Sequence, residues 1–250
     1  MIVVITPLLF GLGRALRRAA WPETDRAKAF WSMSLLLVGW FGIAVGTSIA
    51  GLYAPASSAA PTIQYGLLVP ILVGLLLAQR WPLLRRTIEI MPNDWLVGVQ
   101  VYRVLGVIFL VLYADGHLPA LFALPAGIGD MLVGSLALFV AAGFSRSPEA
   151  SARRVRLWNL LGIADLVIAV TMGFLTSPSP LQIASFDHPS QLIGLFPLSL
   201  IPVFAVPLSI LLHIASLQKL RQRQLTGSNA RQTEEIGLTG ETKMKGAFQR

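Results

Sequence analysis

The stretch VGVQVYRVLGVIFLVLYADG, residues 97–116, decides how this chain is read. It is apolar enough to cross a bilayer, yet it carries Gln100, Tyr102 and Arg103 near its middle. A hydrocarbon core of about 30 Å asks for about 20 predominantly apolar residues in a helix. A guanidinium at that depth needs a reason.

The same apolar character recurs on both sides of this stretch. Uninterrupted runs place six spans at 29–52, 64–78, 94–113, 118–143, 157–175 and 192–217. With 250 residues, 54% hydrophobic and 13% charged, the chain lies far from the soluble norm of about 25% charged. The expected fold class is all-α, a polytopic bundle of transmembrane helices. A transmembrane barrel would need segments of about ten residues alternating in polarity, and the sequence holds none. Cysteine is absent, which excludes disulfides, thiolate metal sites and cysteine nucleophiles and leaves the redox compartment open.

A net charge of +8 raises the question of nucleic acid, and the distribution of charge answers it. Every lysine and arginine except Arg103 falls in one of four groups: 14–28, 80–86, 146–156 and 219–250. The alternate segments, 53–63, 114–117 and 176–191, hold none. Basic loops on one side are what the positive-inside rule expects of a plasma-membrane protein with both termini in the cytoplasm. The lipid bilayer, and no nucleic acid, is the partner that this pattern implies. Trp21, Trp31, Trp81, Trp95 and Trp158 fall near the basic boundaries, and Tyr53, Tyr65 and Tyr113 near the opposite ones, as headgroup-level aromatics do.

The chain divides into 1–28, 29–217 and 218–250. Residues 1–13 are apolar but extend only about 20 Å as a helix. Their arginines come afterwards, unlike those of a signal peptide. Two readings stay open: an interfacial or partly inserted helix ending in RALRR, and a short seventh span. The polar stretch from 218 lacks periodicity and reads as a disordered tail, with Lys219, Arg221 and Arg223 near enough to attract anionic lipid.

Three ionisable residues remain at depth: Arg103, Asp130 and Asp165. Arg103 is eight residues past Trp95 and Asp165 eight past Leu157, so both lie about 12 Å in from the same side. Asp130 sits near the middle of its own span. Gly127, Gly134, Ala123, Ala126 and Ala137 surround Asp130, while Gly162 and Ala169 flank Asp165, and small residues let helices approach closely. An unpaired charge at this depth costs at least about 2.5–3.5 kcal/mol, and arginine keeps its proton in a protein. Arg103 is therefore expected to contact one or both aspartates, with Gln100 and Tyr102 as further polar groups of the same buried centre. Full ionisation would leave a net −1 there, so one aspartate is expected to hold a proton.

Pro197, Pro202 and Pro207 in GLFPLSLIPVFAVP should kink or unwind the last span. Gly39, Gly42 and Gly46 mark a close helix contact, more readily within one chain than between copies through Gly42 and Gly46. Asp115, His117, Asp187 and His188 share the outer side but show no metal-ligand spacing, and they read as solvated loop residues. His213 is expected to snorkel to the nearby boundary, one turn after Ser209. No hydrolase, zincin, Walker or dinucleotide motif is present, so neither a catalytic residue nor a cofactor or metal is expected. GIGDMLVGS from Gly127 echoes GIADLVIAV from Gly162, giving both aspartates a G-I-x-D context.

The segment from 95 to 143, through its Gln100, Arg103, Gly129 and Asp130, resembles a group of bacterial multi-pass membrane proteins of no assigned activity. That resemblance implies a bacterial origin and nothing mechanistic. Two function classes follow from the residues themselves, ahead of an intramembrane enzyme, for which no nucleophile–base pair is legible. In one the buried centre binds or moves a small solute or proton. In the other the ion pair only holds helices in register and the protein is a structural or assembly partner.

Overall fold

The computed structural model describes residues 2–55 and 62–224, and among these it is all-helical. The expected tail falls largely on 225–250, outside the described residues. Six helices are long and apolar enough to cross a membrane. They are α2 (Glu23–Ile49), α3 (Ile63–Arg80), the composite third span (Asn93–Ala114), α7 (Ala120–Arg146), α8 (Pro148–Thr176) and α9 (Ile201–Gln224). Two shorter helices precede the third span, α1 (Ile2–Arg18) at the start of the chain and α4 (Pro82–Ile90).

The outer surface of the bundle is apolar. Leu35, Ile43, Leu72, Phe139, Leu161 and Val167 are exposed. A soluble monomer rarely shows large contiguous apolar patches, whereas a bilayer covers them at no cost. The protein is a multi-pass membrane protein.

The centre of the bundle is α7, which packs along the whole third span on one side and along α8 on the other. Glycines set those distances. A Cβ at Gly134 would lie 2.6 Å from the backbone nitrogen of Val104 and 3.0 Å from the carbonyl carbon of Arg103. One at Gly127 would lie 2.6 Å from Leu110 Cγ. The Trp158 indole N–H of α8 donates to the Val133 carbonyl of α7 at 3.1 Å.

The third span is not the continuous α-helix that its sequence suggests. It runs as α5 (Asn93–Gly98), an eight-residue 3₁₀ stretch (Val99–Gly106) and α6 (Val107–Ala114). Runs of 3₁₀ longer than three or four residues are uncommon, and side chains at i and i+3 eclipse in them. Gln100, Arg103 and Gly106 therefore stand in one row, and all three are buried. The rise of about 2.0 Å per 3₁₀ residue stretches the whole span to roughly 37 Å.

The last span is shorter at its start than expected and longer at its end. Pro197 lies in a turn, after a cis Phe196–Pro197 bond, and outside the helix. The helix opens with a π turn at Ile201–Ala205 that contains Pro202, then continues to Gln224. Proline at this first turn costs no helical hydrogen bond, because the first N–H groups of a helix have no partner within it. Pro207 follows buried in regular helix. Phe204 anchors this start, with Trp40 and Phe41 of α2 on it at ring-centroid distances of 4.8 and 5.1 Å. At the other end the Lys219 ammonium donates to the carbonyls of Ile88 (3.0 Å) and Glu89 (2.6 Å), placing a positive charge on the C-terminal end of α4.

α1 is a single helix of about 25 Å that buries Val4, Leu8, Leu12 and Leu16, spaced four apart, against α2 and the 3₁₀ stretch. Gly39, Gly42 and Gly46 behave otherwise than expected: nothing lies within 4 Å of a Cβ built on any of them. All three glycines are exposed, so this face of α2 is left to lipid or to another chain.

These contrasts give a paired prediction. Gly134→Val places a methyl against the backbone of the third span, and overpacking costs about 1–3 kcal/mol. The thermal midpoint of the detergent-purified protein should fall by several degrees, at about 2–4 °C per kcal/mol. Gly42→Val should melt within about a degree of wild type. Equal midpoints for the two variants would contradict the packing described.

Candidate functional site

Arg103 projects from the 3₁₀ row into the space between α7, α8 and α9, where only 3% of it is exposed. A guanidinium carries donors on three nitrogens and no acceptor, and here all three nitrogens are used. Nε donates to Asp130 Oδ1 of α7 at 2.7 Å. Nη2 donates to Asp165 Oδ2 of α8. Nη1 reaches His213 Nε2 of α9 at 3.2 Å and the Gly162 carbonyl at 3.4 Å. One cation thus ties its own span to the three helices around it.

The pairing requires that helices come closer than side chains normally permit. A Cβ at Gly129 would fall on the Asp165 carboxylate, one at Gly162 on the His213 ring, and one at Gly106 on Asp130 Cβ. Each partner of the arginine has a glycine opposite it. Gly129, one of the residues that carried the resemblance noted above, is thereby given a physical task.

His213 corrects the sequence reading. It does not snorkel; it is fully buried and belongs to the centre. Its tautomer follows from its neighbours. Arg103 can only donate, so Nε2 accepts and carries no proton, and Nδ1–H donates to Asn159 Oδ1 at 2.8 Å. The Asn159 amide nitrogen in turn donates to Val155 O (2.8 Å) and Ser216 Oγ (3.0 Å), which fixes its orientation. The imidazole is neutral in this network, and the ring of Trp158 lies 5.0 Å from it. Ser209, His213 and Ser216, at i, i+4 and i+7, mark the polar face of α9 that would have signalled this role.

Two expected members stand apart from the arginine. The Tyr102 hydroxyl donates to the Ala205 carbonyl at the π turn (3.1 Å) and bonds Ser209, tying the 3₁₀ stretch to α9. Gln100 is fully buried with neither side-chain atom hydrogen-bonded among the described residues. It lies in the same row as Arg103 without contacting it by a hydrogen bond. Asp115, His117, Asp187 and His188 remain exposed or half-buried loop residues, and no group of three metal-ligating side chains comes together among the described residues.

The centre has open space beside it. A cavity of about 270 Å³ runs between α1, the third span and α9, lined by the polar Tyr102, Arg103, Asp130 and Ser209 and by the apolar Leu105, Ile108 and Phe109. A second, of about 60 Å³, lies among Phe122, Ala126, Gly173 and Ile193 and also reaches Asp130. Asp130 Oδ2 and Asp165 Oδ1 accept no hydrogen bond among the described residues, and their side chains keep 15% and 14% exposure. With both carboxylates ionised the formal charges would sum to −1: one guanidinium against two carboxylates, with the imidazole neutral.

A family model described as a domain of unknown function, DUF8737, matches residues 60–221. The chain belongs to the DUF8737 family. The matched region takes in Arg103, Asp130, Asp165, Asn159 and His213, so the whole buried network of this DUF8737 protein lies within it, whereas α1 and α2 precede it. No curated protein and no solved structure matches the chain.

Arg103→Met should strand two carboxylates in the bundle, and breaking a buried pair costs about 3–5 kcal/mol. Membrane abundance and thermal midpoint should both drop sharply. Adding Asp130→Asn and Asp165→Asn should recover much of the loss, because neutral amides need no counter-charge. An Arg103→Met protein that melts like wild type would remove the arginine from its structural role.

Proposed function

We infer that this DUF8737 protein binds an exchangeable proton or a small solute at the Arg103–Asp130–Asp165 centre, with Asp130 as the exchanging group. It sits in the bacterial plasma membrane with both termini in the cytoplasm, a reading supported by the basic groups at alternate chain segments. One observation carries the proposal: two cavities reach Asp130, in a centre that would hold one negative charge too many with both carboxylates ionised. A surplus charge in a low-dielectric interior is costly, and uptake of one proton or one monovalent cation removes it. A static brace needs only one carboxylate per guanidinium and no space beside it.

The two interrupted spans support the same reading. The 3₁₀ stretch and the π turn meet through Tyr102 and Ala205, beside the larger cavity. Broken helices at the midplane are how many transporters build ion and substrate sites. The rival reading, a register-holding ion pair, is favoured by the full engagement of all three Arg103 nitrogens.

Infrared difference spectroscopy on membrane-reconstituted protein separates the two. Wild type should show a carboxylic-acid C=O band that shifts promptly on transfer to D₂O and is missing in Asp130→Asn. A band absent from wild type, or one that does not exchange with solvent deuterons, sinks the exchange reading and leaves the brace.

A further inference from the structure

Resting on the exchangeable proton assigned above to Asp130, we propose that the 270 Å³ cavity binds a monovalent organic cation with an apolar body, which enters from the lipid and displaces that proton one for one. The chemistry of the walls selects the ligand class. Leu105, Ile108, Phe109 and Leu166 give the cavity an apolar interior, and its polar lining is Asp130 with its partner Arg103, Tyr102 and Ser209. A ligand filling this space presents hydrocarbon to most of the wall and a single charge to one carboxylate. Its volume is near the lower limit of small-molecule sites, about 300 Å³, so the ligand is the size of a simple amine.

The sign of that charge follows from the groups that face Asp130. The third span contributes Arg103 and Tyr102, α8 contributes Asp165, and α9 contributes the neutral His213 behind the guanidinium. α1 contributes Val4, which carries no charge. A neutral ligand would leave the proton on Asp130, and an anion would add to the surplus negative charge that the centre carries once that proton leaves. A monovalent cation balances it, and it finds an open acceptor, since Asp130 Oδ2 has no hydrogen bond and Gly106 keeps the space next to that oxygen clear: a Cβ there would lie 2.8 Å from it. The rings of Phe109 and Tyr102 border the same space, and aromatic faces attract organic cations.

The route is lateral. Leu105 and Ile108 line the cavity and are also exposed on the outer surface, Leu105 at 56%, midway along the third span. The mouth therefore opens at the depth of acyl chains, which admits amphipathic cations from the bilayer. Charge balance then dictates the stoichiometry. The site holds one proton or one cation, not both, so each binding event releases one proton and leaves the net charge of the centre unchanged.

Benzyltrimethylammonium and its neutral isostere neopentylbenzene test this on the full-length detergent-purified protein, by calorimetry in two buffers of different protonation enthalpy. Benzyltrimethylammonium should bind wild type with release of one proton, and its affinity should rise up to about tenfold per pH unit while the site is protonated. Neopentylbenzene should not bind measurably, and Asp130→Asn should abolish binding. Leu105→Trp, which narrows the exposed mouth and leaves every charge in place, should weaken binding by about tenfold or more. Binding without proton release, equal binding of the neutral isostere, unchanged binding to Leu105→Trp, or no binding at all overturns the proposal. Because the infrared band of Asp130 is read without any ligand, failure here is distinguishable from failure of the exchangeable proton itself.

Discussion

A guanidinium that cannot lose its proton, held inside a bundle that faces lipid, is the constraint around which this protein is arranged. Water is not available to solvate Arg103, so the chain must supply partners from its own helices. It does so from three at once: a carboxylate of α7, a carboxylate of α8 and an imidazole nitrogen of α9. Because each partner belongs to a different element, the arginine acts as a cross-brace, and the positions of the four elements are set relative to one atom group. The glycines follow from that. Gly106, Gly129 and Gly162 are the places where a side chain would push a partner out of reach.

The backbone departs from the α-helix at the same level. Irregular backbone is tolerated at membrane depth only where protein or a cavity covers it. The 3₁₀ stretch is covered by α7 and α1, and the π turn by α2 and α3. Tyr102 joins the two irregular segments by donating to the Ala205 carbonyl. The polar centre, the two interruptions and the cavity beside Asp130 thus form one region, surrounded by regular helices that mostly meet lipid.

Much of this was legible from residues alone. Asp130 and Asp165 were the only acids at the depth of Arg103, and burial of an unpaired charge is costly enough to make contact a strong expectation. Distance from the boundary points His213 toward the headgroups, whereas its helical face turns it inward. Ser209, His213 and Ser216 lie on one side of α9, and that periodicity carries more information than depth does. The i, i+3 spacing puts Gln100 on the face of Arg103, and Tyr102 is its neighbour in sequence. In the 3₁₀ stretch Tyr102 lies on a different side from the arginine and bonds α9, while Gln100 shares the row but makes no bond to it. The Gly39, Gly42 and Gly46 spacing suggested a close contact within the chain, yet small residues permit approach without requiring it.

What the sequence by itself determined is the number of apolar spans, the segregation of basic residues into alternate segments, and the presence of a buried cation that must be neutralised. These follow from one-dimensional quantities: run length, charge position and the cost of an unpaired ion in hydrocarbon. Only the tertiary structure decided that both carboxylates and His213 share the arginine, that the third span tightens to 3₁₀, and that open space is left beside Asp130. Those outcomes depend on which helix faces which, and on where glycine lets two helices meet, and no single segment of the chain contains that information.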